Sequence, residues 1–187
     1  MGEGDTGIYK EARMPTITAK PGIKHTLVVL LEDEPGALNR VVSMFRRRSF
    51  NIESLSVGHT EEANLSRMTL TVAGEDNEVE QMVKHLYKVL EVVKVTDVTA
   101  EQSIIREMAL IKVTADKPES RAEIMQFAEI FKARVLDVAP DSITLESTGP
   151  EDEVDRLFSL LRRYGIKESV RTGSVAMLRG SSVAGAI

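Results

Sequence analysis

Apolar positions along the chain follow two alternating rhythms. Residues 27–31 are a continuous run, Leu-Val-Val-Leu-Leu, which predicts a strand buried on both faces. Leu38, Val41, Val42 and Phe45 then fall at i, i+3, i+4 and i+7, the stripe of a helix with one face in a core. Residues 51–58 predict a second strand, with Leu55 and Val57 on one face and Ile52, Ser54 and Ser56 on the other. Ser66, Met68, Leu70 and Val72 alternate with Arg67, Thr69 and Thr71, as in a half-buried strand. Val79, Met82, Val83 and Leu86 repeat the helical stripe, and Val92, Val93 and Val95 close the unit. The order is βαββαβ, that of a ferredoxin-like antiparallel sheet with both helices on one face.

After a polar joint at residues 100–103 the order recurs. Residues 107–114 predict a strand. Ser120 and Glu123 have the spacing of a capping box, ahead of a stripe formed by Ile124, Phe127, Ala128 and Phe131. Residues 133–138 and 142–146 predict strands around Pro140-Asp141. Val154, Leu157, Phe158 and Leu161 form a fourth stripe, with Pro150 at an early helical position, and residues 166–177 hold a last strand interrupted by Gly173. The predicted fold is α+β: two ferredoxin-like βαββαβ domains, residues 24–99 and 104–179, with a flexible leader at 1–23 and a loose tail at 180–187. The helices cover one face of the first strand, so its second apolar face predicts a surface for a partner.

Composition narrows the function. The chain has 187 residues, 42% of them hydrophobic, enough to build a core. A net charge of −5 argues against nucleic acid and anionic membrane as partners. There is no cysteine, so disulfides, thiolate catalysis and zinc–thiolate sites are excluded, in keeping with a reducing, cytoplasmic setting. No apolar run approaches the roughly 18 residues of a membrane span. His25, His59 and His85 have no metal-ligand spacing and read as ordinary edge or surface residues. No nucleophile elbow or phosphate-binding loop occurs, and no catalytic centre is expected. An RNA-recognition module shares the element order, but residues 26–31 and 66–72 contain no aromatic on which a base would stack.

The candidate chemistry lies in the turn between the first strand and the first helix. Glu32, Asp33 and Glu34 precede Pro35 and Gly36. The first N–H groups of the helix lack internal partners and carry the positive end of its dipole, so a carboxylate can dock there. Arg46, Arg47 and Arg48 crowd the far end of the same helix, either as a solvated cationic end or as a contact for an acidic surface.

Glu-Asp-Glu-Pro-Gly-Ala-Leu at 32–38, Asn-Ile-Glu-Ser-Leu at 51–55 and Leu-Ser-Arg-Met at 65–68 resemble the ACT domain of the small, regulatory subunit of acetolactate synthase. Arg-Glu-Met-Ala-Leu-Ile-Lys-Val at 106–113 resembles the opening of that family's second domain, and Ile130-Phe131, Val138 and Val170-Arg171-Thr172-Gly173 are similar to its later motifs. The resemblance implies a non-catalytic chain that binds no cofactor itself. Its partner would be a large catalytic subunit using thiamine diphosphate, Mg²⁺ and FAD, which condenses two pyruvates, or pyruvate with 2-oxobutyrate, in branched-chain amino-acid (valine, leucine, isoleucine) biosynthesis. The small subunit of this family raises that activity and confers feedback inhibition, typically by valine. The resemblance also implies a homodimer with the effector at its seam. Asp33, Gly36, Ala37 and Leu38 would come from the turn of one protomer, and Asn51 and Ile52 from the strand start of the other. Gly36 and Ala37 would offer N–H groups to the effector carboxylate, Asn51 would bond the zwitterion, and Leu38 and Ile52 would line its side-chain pocket. Asp33 stands where the family commonly has Asn, and favours the ammonium group. The alternative is a free-standing ACT-type amino-acid sensor acting on another enzyme or on transcription, which would share the first domain alone.

Overall fold

The computed structural model describes residues 23–184; the rest of the expected leader and residues 185–187 of the expected tail lie outside them. The first half runs β1 (Ile23–Glu32), α1 (Ala37–Arg47), β2 (Ile52–His59), β3 (Leu65–Gly74), α2 (Asp76–Leu86) and β4 (Val92–Asp97). Its antiparallel sheet has the order β2-β3-β1-β4. Leu27 and Val29 stand opposite Leu70 and Met68, and these side chains meet the stripes of both helices in one core with Val41, Phe45, Val79 and Leu86. The second half runs β5 (Ser103–Thr114), α3 (Pro118–Ile130), β6 (Arg134–Ala139), β7 (Ser142–Gly149), α4 (Glu151–Leu161), β8 (Ile166–Arg171) and β9 (Val175–Leu178). The sheet order is β6-β7-β5-β8, over a second core built from Ile111, Ile124, Leu145 and Leu157. Both halves have the expected ferredoxin-like plan, and among the described residues no helix is long and apolar enough to cross a membrane.

The two halves are joined by a strand longer than the pattern predicts. β5 starts at Ser103, and residues 103–106 pair with β9 to form a ribbon over the outer face of the first sheet. Val28 packs there with Val98, Ala176 and Ala184, flanked by Ile105 and Leu178. The cover of the second apolar face, expected from a partner, therefore comes from the chain itself. β3 is likewise buried on both faces rather than one, since Thr69 and Thr71 are 3% and 6% exposed. The Arg67 guanidinium donates to the carbonyls of Ala176 (2.7 Å) and Ala184 (2.9 Å). This bonding pins the start of the tail, residues 180–184, which the composition predicts to be loose. Polar side chains mark this face as solvated in the pattern, yet the second half covers it, with Arg67 bonded and the Thr71 hydroxyl without a partner among the described residues.

Three local features also differ from the expectation. Pro118 starts α3 after Lys117 as N-cap, because its fixed φ favours the first helical turn. Ser120 is thus inside the helix, donating to the Lys117 carbonyl at 2.8 Å. Among the described residues a capping box is formed instead by Glu75 with Glu78 at the start of α2. A bulge between Ile52 and Ser54 breaks the strict alternation of β2. Ile52 and Leu55, three positions apart, both pack against the first core. Finally, α1 and α3 both end through a non-glycine residue in the left-handed region, Ser49 (φ 57°) and Lys132 (φ 52°). The Phe50 N–H then bonds back to Phe45 (3.1 Å) and that of Ala133 to Ala128 (2.8 Å). This reversal aims Asn51 into β2.

Candidate functional site

A cleft of about 270 Å³ opens at the N-terminal end of α1, floored by Leu31, Ala37 and Ser66 and walled by Leu38 and Val57. The backbone sets its polar side. Gly36 is the N-cap of α1 at φ 92°, and no side chain caps the helix. The Ala37 N–H donates to the Glu34 carbonyl at 3.1 Å, closing the turn, so it is not the free donor that the resemblance implies. Arg40 is the first residue bonded back into the helix, to the Gly36 carbonyl at 3.0 Å. That leaves the N–H groups of Gly36, Leu38 and Asn39 without a partner among the described residues, at the positive end of the helix dipole.

The cleft also holds a carboxylate. The Ser66 hydroxyl donates to Asp33 Oδ1 at 3.1 Å, and His59 Nδ1 lies 3.0 Å from Oδ2. The register explains the grouping, because His59 at the end of β2 stands opposite Ser66 at the start of β3. The cleft thus holds the Asp33 carboxylate and aliphatic walls, and Leu38, which carries one of the unpaired N–H groups, lines it, with Gly36 and Asn39 on either side of the helix start. That combination accepts both charges and the side chain of a small apolar amino acid.

A second pair braces the floor. Glu91, 2% exposed, is paired through one oxygen with the Arg40 guanidinium in the first turn of α1. Its Oε2 has no partner among the described residues. The backbone carbonyl of Glu91 accepts from Glu32 at 2.8 Å, so the start of β4 holds both ends of the β1–α1 turn.

The structure brings together three of the six expected residues: Asp33, Ala37 and Leu38 line the cleft, with Gly36 as the adjoining cap. Asn51 is exposed and Ile52 packs against the first core; both lie at the start of β2, whereas its end lines the cleft. Sequence reasoning missed Val57, Gly58, His59 and Ser66. For Ser66 a signal existed, since alternation places it on the core side with Met68. His59 had none, because only the sheet register carries it to Asp33. The other two histidines lie elsewhere. His25 is held between Asp76 (3.4 Å) and Asp97 (3.1 Å). His85 is half-buried on α2, its proton affinity lowered by desolvation and by Arg48 and Lys88. Among the described residues no group of three or more His, Asp or Glu side chains is placed to hold a metal ion.

Comparison with known proteins identifies the family. Residues 27–94 match the family described as the AHAS small subunit-like ACT domain, and residues 106–180 match the small subunit of acetolactate synthase. A probable acetolactate synthase small subunit of Archaeoglobus fulgidus is 54% identical over 159 residues, covering 85% of this chain and 99% of that one. The chain belongs to the acetolactate synthase small-subunit family. The acetolactate synthase small subunit of Mycolicibacterium smegmatis is 45% identical over 162 residues, 87% of this chain and 95% of that one. The crystal structure of the Thermotoga maritima small subunit superposes with a TM-score of 0.79 at 40% identity, covering 86% of this chain and 99% of that one. Membership makes this a regulatory subunit and implies a catalytic large-subunit partner and amino-acid binding of the ACT type. Because the match includes the second half, it goes beyond what a free-standing sensor would share.

Proposed function

We propose that this chain activates the large subunit of an acetolactate synthase in the cytoplasm and transmits feedback inhibition by valine, or a close branched-chain relative, bound at a homodimer seam. The observation that supports the reading is the cleft at the N-terminal end of α1, lined by Asp33 and Leu38, where the N–H groups of Gly36, Leu38 and Asn39 have no partner among the described residues. The effector carboxylate docks on the N–H groups, its ammonium pairs with Asp33, and its branched side chain lies against Leu38 and Val57.

The sheet order supports a dimer. β2 is an edge strand, with a row of backbone groups free to pair with another strand. Two copies of β2 running antiparallel bring the start of one beside the end of the other. Asn51 of the second copy then closes the cleft that Val57 and His59 leave open, with Ile52 next to it at the strand start. The uncovered face of β1, which argued for a dimer from the sequence, no longer supports it. Thiamine diphosphate, Mg²⁺ and FAD belong to the catalytic partner, which joins pyruvate to pyruvate or to 2-oxobutyrate. This chain contributes a binding free energy that favours one arrangement of the complex.

The test is reconstitution. The chain is mixed with its large subunit and turnover is measured with and without valine, while calorimetry follows valine binding to the small subunit alone. The expected result is no turnover by the isolated chain, a raised kcat in the complex, and inhibition at valine concentrations near the calorimetric Kd. A complex whose rate is indifferent to the chain, or a chain that binds no branched-chain amino acid, overturns the reading.

A further inference from the structure

We infer that the start of β2 couples the effector seam to the C-terminal half, with Ser54 as the positioning residue of that contact. The inference rests on the effector reading above and specifies how occupancy is transmitted. Two consecutive residues of β2, Ser54 and Leu55, touch the second half, and Glu53 before them reaches it through Lys24 of β1. Glu53 lies 3.3 Å from Lys24, which also reaches Glu151 in the first turn of α4 at 2.7 Å. The Ser54 hydroxyl accepts the N–H of Ser174 at 2.9 Å. Leu55 is approached by Gly173, at φ 77°, so closely that a Cβ on that glycine would stand 3.1 Å from the Leu55 carbonyl oxygen and 2.9 Å from Ser54 Oγ. Asn51, offered to the neighbouring cleft, and Ile52 next to it immediately precede this contact, and the β-bulge lies between Ile52 and Ser54.

The path continues on the far side. Ser174 belongs to the turn between β8 and β9. On β8, Arg171 pairs with Glu107 of β5 and reaches Asp155 of α4 at 2.6 Å. A displacement at the start of β2 therefore arrives at the central strand and a helix of the second domain through two bonded steps. Room for that displacement is present. A cleft of about 370 Å³ beside the contact is lined by Thr26, Thr71, Thr99, Ile105, Asp152 and Ser174, and the buried Thr71 hydroxyl in its wall has no partner among the described residues. The halves are bonded at Ser54 and unpacked next to it, so α4 can close toward or open from the first sheet about that point. An effector that holds β2 in one position biases this two-state element.

The experiment uses the complex with the large subunit. Ser54→Ala removes the acceptor without adding bulk near Gly173. Valine affinity of the isolated small subunit should stay within about twofold and activation should persist, while inhibition at saturating valine falls by about half or more. The large subunit should then shift the valine Kd of the variant less than it shifts that of the parent, because the binding coupling between the two is weakened. Lys24→Met, which cuts the link between Glu53 and Glu151 from the surface, should act in the same direction and provides the answer if Ser54→Ala does not fold. Inhibition intact in the folded variants at unchanged affinity overturns the coupling and leaves the effector site standing. A parent chain that binds no valine removes the effector site itself, and the coupling with it.

Discussion

Gly36 separates two demands that a single position places on the chain. Its φ of 92° is strained for any residue with a Cβ, yet no atom lies within 4 Å of where that Cβ would be. Gly36→Ala should therefore cost only the backbone term, about 1–2 kcal/mol, read as a lower midpoint of unfolding with valine affinity little changed. Gly36→Asp adds a carboxylate beside that of the effector. Two like charges about 4 Å apart cost on the order of 4 kcal/mol at an effective dielectric of 20. Screening in the open cleft reduces this, but about 1.4 kcal/mol is already tenfold in affinity. Calorimetry on Gly36→Asp should show valine binding lost, with activation of the large subunit retained. Asn51→Ala should weaken binding by less, through the loss of one hydrogen bond to a charged group. Asp97 offers a pH-dependent counterpart. Burial would raise its carboxyl, but hydrogen bonds from Thr99 and from His25 outweigh burial and hold it below the usual range. A carboxyl depressed on folding contributes stability that is full above its unfolded value, about 3.9, and is lost as pH falls through the lower folded one. The Asp97 side chain is 37% exposed, so the contribution is under about 1 kcal/mol. Asp97→Asn should lower stability slightly at pH 7, and the difference from the parent should shrink below about pH 4, as urea midpoints across that range would show.

The helices illustrate how one solution was used twice. α1 and α3 occupy equivalent places in the two halves, and both stop at a residue in the left-handed region that is not glycine. An L-residue there costs about 1 kcal/mol relative to glycine. Ser49→Gly and Lys132→Gly should each raise stability by about that amount, seen as a higher denaturant midpoint at unchanged slope. The effect should be additive, since the two positions lie in separate cores. The two should differ in function. Ser49 sets the path into Asn51, so its substitution should alter the valine response if the added backbone freedom reaches β2. Lys132 leads into β6, away from the cleft, and its substitution should leave that response alone. β2 is the least regular of the strands around the site, an edge strand with a bulge at Glu53. Bulges re-aim side chains, and here the bulge turns Ile52 into the core while Ser54 faces the second half.

Taken whole, the molecule is two similar cores held together by a third, smaller cluster around Val28 and Ala176. Arg67 is the polar anchor of that cluster, with two carbonyls as partners. Hydrogen bonds to a charged group are worth roughly 1.5–3 kcal/mol each when broken one-sidedly. Arg67→Ala should release residues 174–184 and uncover Val28. Limited proteolysis should then cut after β8 well before either domain unfolds, and the midpoint of thermal unfolding should fall. Retention of the parental cleavage pattern would show that the apolar contacts alone hold the ribbon down. The same contact sets the relative position of the two halves, which is what a regulatory subunit needs if binding in one domain is to be felt through the other.

The element order, both cores and the turn at Gly36 were legible in the residues alone. Periods of 3.6 and 2 are local properties of a helix and a strand, and the stripe at Leu38, Val41, Val42 and Phe45 names its own buried face without reference to the rest of the chain. So do the unpaired N–H groups at a helix start, which follow from helix geometry wherever the helix lies. The cover of β1, the bulge in β2 and the meeting of Asp33, His59 and Ser66 were not legible. Each depends on which residue of a distant strand stands opposite, and polarity does not encode that register: Val28 meets Ala176 because β5 runs on past the joint and carries β9 with it, and His59 reaches Asp33 because β2 ends opposite the start of β3. The periodicity of β3 predicted solvent over Thr69 and Thr71, and only the folded chain places a second domain there, because a hydroxyl reads the same in water and under a strand.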